Sequence, residues 1–235
     1  MDARREELAV QLASINAVRA AMYRKLAHLY LHECTQDELE ALSNQSFEGL
    51  DGGVAEIAEG YSDIKRALAN MNTGTRQALA VDYAHTFLAA GNYETYAATP
   101  YESVFTSEHG LLMQEARDEV YKAYCEEHMQ PDPDLHIPED HIAFEFEFLA
   151  SLLERMNDAL EAQDGGEALR YARFARAFHE CHQLNWIDDL AETIIEVAET
   201  DFYRGLAKVT RGFVHQETEV MADVIWALEE MGGEA

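Results

Sequence analysis

Apolar residues recur every three or four positions along most of this chain, and that spacing predicts helices almost throughout. Leu8, Leu12, Ile15, Met22, Leu26 and Leu29 form one stripe with arginines and glutamates between them, the mark of a long amphipathic first helix. Thr35 followed three positions on by Glu38 has the form of a capping box, so Thr35 to Leu42 reads as a short second helix. Val54 to Met71 and Thr75 to Ala90 continue the pattern, separated by Asn72-Thr73-Gly74 and closed by Gly91-Asn92. The period fails from Tyr93 to Thr106, where aromatic and small residues predict a packed loop, and returns from Ser107 or Glu108 to Glu127.

Pro131, Pro133 and Pro138 then punctuate a hinge over residues 131–138. Each fixes φ, lacks an N–H and pushes the preceding residue toward extended geometry, so helix is excluded there. Pro138 is placed for the first turn of the next helix, with Glu139 and Asp140 supplying negative charge where backbone N–H groups point outward. Ile142, Phe146, Leu149 and Leu153 form the stripe of that helix, and Phe144 and Phe148 widen it until most of its girth is apolar. The alternation Phe144, Phe146, Phe148 also suits a strand, but it is short and sits inside the longer helical period. Asp164-Gly165-Gly166 reads as a turn. Glu167 to Gln183, Trp186 to Glu199, Asp201 to Phe213 and Glu217 to Met231 follow as helices. The fold class is all-α: one bundle of roughly ten helices, with an N-terminal part (1–130), the hinge (131–138) and a C-terminal part (139–235) forming a single domain.

Composition supports a packed core and narrows the partners. In 235 residues, 48% are hydrophobic and 10% aromatic, against a formal net charge of −28. Such a field repels phosphates, which argues against nucleic acid, and steers basic peptides or basic protein patches toward the surface. Adaptation to high salt accounts for the same acidity, and the chain uses only four lysines. Cys34, Cys125 and Cys181 are odd in number and widely spaced, which predicts buried, reduced thiols in a cytosolic protein. Glu6 and Glu7 after Arg4 and Arg5 do not suit a secretion signal, and no run approaches the length of a membrane span.

Candidate chemistry is sparse. There is no His-Glu-x-x-His and no Glu-x-x-His; what remains is His179 with His182, His141 with Glu145, and Asp82 with His85, pairs that arise by chance on helices. Phosphate-binding glycine loops and a nucleophile elbow are absent. No catalytic constellation, resident metal or cofactor is expected. The features that stand out belong to recognition: an aromatic loop, an acidic helix start beside a hinge, and a strong negative field.

Four motifs carry a resemblance to a known family: Asp82-Tyr83-Ala84-His85-Thr86-Phe87-Leu88, Pro100-Tyr101-Glu102-Ser103-Val104-Phe105, Pro138-Glu139-Asp140-His141, and Thr200-Asp201-Phe202-Tyr203-Arg204-Gly205-Leu206. In order and spacing the chain resembles the TorD/DmsD/NarJ group of redox-enzyme maturation chaperones, nearest its TorD/DmsD branch. The resemblance implies a cytoplasmic, all-helical, non-enzymatic chaperone that binds the twin-arginine leader and the apo-form of a molybdopterin oxidoreductase and delays export until its cofactor is loaded. It places Asp140 and His141 in the leader-binding region and Tyr83 and Phe87 in an apolar groove, and nominates Tyr101 and Glu102 from the matching loop. Tyr83 stands where relatives often carry Trp, and Thr86 where an apolar residue is usual, which implies a more polar groove. The competing readings are a helical metal-dependent enzyme using His141, Glu145, His179 and His182, and an acidic scaffold binding basic proteins without preference. A hinge between helical halves also allows a domain-swapped dimer beside the monomer.

Overall fold

The computed structural model describes residues 3–89 and 97–233. Ten α-helices occur among them, and their only β feature is an isolated antiparallel bridge between Tyr101 and His141. In chain order they are α1 (Ala3–Leu31), α2 (Gln36–Asn44), α3 (Ala55–Leu68), α4 (Thr75–Phe87), α5 (Glu102–Thr106), α6 (Glu115–Glu126), α7 (Ile142–Glu161), α8 (Gly165–His182), α9 (Ile187–Val197) and α10 (Asp201–Gly233).

α7 is the axis of the bundle. It is buried at every position from Ile142 to Leu153 except Glu147 and Ser151, as its broad apolar girth requires. α1 and α8 pack against it, while α10 packs against α3, α8 and α9. Helices before and after residues 131–138 therefore share one continuous core. The α3–α10 crossing is very close: a Cβ on Gly60 would lie 2.6 Å from the Gly205 carbonyl oxygen, and one on Gly205 would lie 2.5 Å from that of Gly60.

A buried polar knot ties α1 to α10 and α7. Arg19 forks onto Glu217 at 2.7–3.0 Å, Tyr23 donates to the same carboxylate at 3.0 Å, and Asn16 accepts from Arg19 while donating to Asn157 at 2.9 Å. Each charge in it is answered, which is the condition for burying them.

The capping box at Thr35 forms with both of its bonds. Other local expectations are corrected. The helix expected from Ser107 or Glu108 begins at Glu115, because Gly110 and Met113 take left-handed φ of 62° and 61°. α5 occupies the end of the segment expected to be a loop. The Gly91-Asn92 closure and the start of the aromatic loop at Tyr93 lie outside the described residues.

Helix is not wholly excluded from the hinge: Pro133–Leu135 makes one 3₁₀ turn, capped by the Asp132 carboxylate on the Asp134 N–H at 3.0 Å. Gly165 and Gly166 open α8 rather than forming a turn, because Asp164 caps the Glu167 N–H at 2.9 Å. The break expected between Phe213 and Glu217 is absent. Gly212 there serves to let Ile57 of α3 approach, and α10 runs on unbroken. Of the cysteines, Cys34 is buried, but Cys125 and Cys181 are exposed.

Candidate functional site

The two proline-led motifs close on each other to form one corner. Ile142 N–H donates to the Pro100 carbonyl and Glu102 N–H to the Asp140 carbonyl, both at 2.9 Å, which makes the bridge between Tyr101 and His141. Their rings meet edge to face with centroids 4.9 Å apart. The Asp140 carboxylate accepts the Ser103 N–H at 2.9 Å and the Ser103 hydroxyl, so it caps α5 from 37 positions away.

This corrects the expected helix start. α7 begins at Ile142, not at Pro138, and His141 is its N-cap, with Nδ1 accepting from the Ala143 N–H at 3.1 Å. Accepting there requires an unprotonated Nδ1, and burial holds His141 neutral by pushing its pKa down to about 3. Glu139 is taken by Arg117 of α6, whose Nε and Nη2 fork onto it at 2.5 and 2.9 Å.

Behind the corner lies a buried group of carboxyls. Glu102 pairs with His182 at 3.0 Å and accepts from Asn185 at 2.7 Å, so both of its oxygens are answered. Asp140 Oδ1 and both oxygens of Glu145 are buried without a partner. Burial, followed by the charges of Glu102 and Asp140, drives the Glu145 pKa well above the carboxylate range. Sequence reasoning gave Glu145 only a metal-ligand role and did not find His182 or Asn185 as partners of Glu102. A charged residue inside the apolar stripe of α7 was the available signal for Glu145.

The other two motifs form a second junction. Asp82 accepts the Glu199 and Thr200 N–H groups at 2.9 and 2.8 Å together with the Thr200 hydroxyl, ahead of the start of α10. Thr86 is fully buried and donates to Asp82 at 3.2 Å, so its hydroxyl serves this cap and lines no groove. Tyr83 and Phe87, expected to offer an apolar groove, are core residues with 4% and 2% exposure. Their rings pack on Tyr203, Phe87 also packs on Tyr30, and the Tyr83 hydroxyl donates to the Tyr30 carbonyl at 2.9 Å. The six nominated residues thus fall into two groups: Asp140, His141, Tyr101 and Glu102 meet at the corner, while Tyr83 and Phe87 sit at the α4–α10 junction.

The four residues of the metal-enzyme alternative are not brought together. His179 faces Gln183 and Thr218, whereas His182 faces Glu102. Among the described residues, no group of three or more His, Cys, Asp or Glu is arranged to hold a metal ion, and no helix is long and apolar enough to cross a membrane.

A sequence profile of the nitrate reductase delta subunit family matches residues 50–192, a span that contains the corner and the first half of the second junction. The chain belongs to this family. It is similar over most of its length to curated chaperones named TorD. The Vibrio parahaemolyticus protein is 26% identical over 211 residues, covering 86% of this chain and 94% of the relative. The Vibrio vulnificus strain YJ016 protein is 25% identical, covering 90% and 98%, and that of Shewanella pealeana is 24% identical, covering 89% and 92%. These relatives support the TorD/DmsD branch, and with it a redox-enzyme maturation chaperone rather than a catalyst.

Proposed function

We propose that this chaperone works in the cytoplasm by binding the twin-arginine leader and the apo-form of a molybdopterin oxidoreductase, and that the corner of Tyr101, Glu102, Asp140 and His141 organises the leader site. The observation that carries this reading is an acidic corner, built from two family motifs, in a chain of net charge −28 whose relatives are TorD chaperones. The long-range field raises the encounter rate with a basic segment, and local contacts then set how long it stays. Asp140 and Glu102 act mainly by fixing the corner, since both are buried, Glu102 with both carboxylate oxygens engaged and Asp140 with one of its oxygens on Ser103. Tyr83 and Phe87 contribute by anchoring α4 to α10, and a peptide reaches them only if that junction opens.

The test is calorimetric titration of the chain with a synthetic leader carrying two adjacent arginines before an apolar run, against the same peptide with both arginines replaced by glutamine. Binding of the first and loss of the second supports the reading. Equal binding of both, or equal binding of polylysine, points instead to an acidic scaffold without preference. Exchange of halves about residues 131–138 would keep the α1–α7 and α3–α10 pairings but form them between two chains. Light scattering after size-exclusion chromatography distinguishes such a dimer from the monomer.

A further inference from the structure

Beside the corner, between α5 and α6, opens a cleft of about 530 Å³ whose floor is Glu102 and whose walls carry Glu108, Glu115 and Glu119. No Lys or Arg lines it. Glu108, Glu115 and Glu119 are exposed and make no ion pair among the described residues, unlike Glu139 nearby, which Arg117 already forks. Behind Glu102 lies the buried Glu145, whose carboxyl meets the negative charges of Glu102 and Asp140 and has no hydrogen-bond partner. Directly before α6, Leu111, Leu112 and Met113 are exposed by 53%, 46% and 57%, an apolar run with nothing covering it.

Carboxylates without a neighbouring cation, next to bare apolar side chains, fit a guanidinium group followed along its chain by apolar residues. The guanidinium presents five N–H donors in a planar fork suited to two carboxylates, whereas an ammonium group is a compact point charge. A hollow of about 730 Å³ beside α9 is acidic as well, but its Glu192 already meets Arg211 at 3.9 Å; one of about 650 Å³ between α1, α3 and α10 fits less well. The charged residues lining it are Lys25 and the self-satisfied Arg19–Glu217 pair, so it offers no uncommitted negative charge.

We propose that the α5–α6 cleft is the subsite for one arginine side chain of the client leader, held by Glu115 and Glu119 above Glu102, with the apolar residues that follow lying on Leu111, Leu112 and Met113. This rests on the leader-binding reading and assigns its specificity to Glu115 and Glu119, which lie outside the four family motifs. Asp140 and His141 then position the cleft by holding α5, without touching the ligand.

The experiment titrates native chain, a Glu115→Gln/Glu119→Gln variant and a Leu112→Ser/Met113→Ser variant with the twin-arginine peptide and with its double-lysine counterpart, at low and moderate salt. All four substitutions are at exposed positions, and circular dichroism checks that the fold is kept. Native chain is expected to prefer arginine to lysine by about tenfold. The Gln variant is expected to lose that preference and bind about tenfold more weakly at low salt, with a shallower salt dependence. The Ser variant is expected to weaken binding of both peptides equally at either salt. Native chain that binds the leader while the Gln variant binds as tightly and with the same preference overturns the subsite and leaves the leader reading standing. Native chain that ignores the twin-arginine peptide overturns both.

Discussion

The Asp140 carboxylate accepts the backbone N–H of Ser103 at 2.9 Å, and through that bond the hinge side of the chain caps a helix on the other side. The acceptor sits on a fully buried residue, so its removal leaves the Ser103 N–H without a partner or water. Asp140→Ala is expected to lower unfolding free energy by about 1–3 kcal/mol, read as a reduced urea midpoint with little change in helical content. Asp140→Asn, which keeps an acceptor oxygen, should cost less. Equal midpoints for the alanine variant and native chain would show that this bond is not holding α5.

Glu145 makes stability fall as pH rises. Its folded pKa lies well above the ordinary value of 4.5, so between those two values the folded state holds a proton that the unfolded state releases. Stability from this group is therefore present at low pH and lost as pH rises through the raised pKa. The groups facing it are Glu102, Asp140 and Tyr124, with the Trp186 indole beside them. Glu145→Gln keeps the shape without the charge. Its urea midpoint is expected to exceed that of native chain at pH 8 and to approach it at pH 5, and a constant gap across that range would rule out titration at this position.

His141 acts in the opposite direction. Its folded pKa of about 3 lies below the ordinary 6.5, so the unfolded state takes up a proton first as pH falls. The contribution is complete above pH 6.5 and declines toward pH 3, by at most about 1.4 kcal/mol per pH unit. Asparagine is a good N-cap that does not titrate. His141→Asn is expected to keep the α7 cap and to flatten the acid limb of a stability-against-pH curve, and an unchanged limb would assign acid sensitivity elsewhere.

Most helices were legible because their signals are local. The Thr35–Glu38 box needs only three residues, and the girth of α7 can be counted along its own stripe. The start of α7 was not legible, because Asp140 is committed to Ser103, a partner that no nearby residue announces. The same holds for Asp82, whose acceptor atoms serve Glu199 and Thr200 more than a hundred positions later. Of the candidate site, the nomination of Tyr101, Glu102, Asp140 and His141 followed from shared family motifs, though their meeting at one corner did not. The burial of Tyr83 and Phe87 did not, since a helical stripe shows that a face is apolar and not which neighbour covers it. Glu115 and Glu119 look like ordinary solvated helix residues until α5 is placed opposite them.

The crossing of α3 and α10 makes the last prediction. Gly60 and Gly205 face each other with backbone against backbone, and either added methyl group would stand about 2.5 Å from a carbonyl oxygen that no side-chain rotation can move. Both residues sit within helices, where glycine costs about 1 kcal/mol relative to alanine, so Gly205→Ala gains helix propensity while losing the close approach. The clash is the larger effect, because relieving it means moving two packed helices and loosening Val209 and Ile64 at the contact. A net loss of about 1–3 kcal/mol is expected from Gly205→Ala, seen as a lowered Tm. Gly165→Ala is the control, since a Cβ there meets nothing within 4 Å. A Gly205→Ala chain as stable as that control would mean that the two helices separate at little cost.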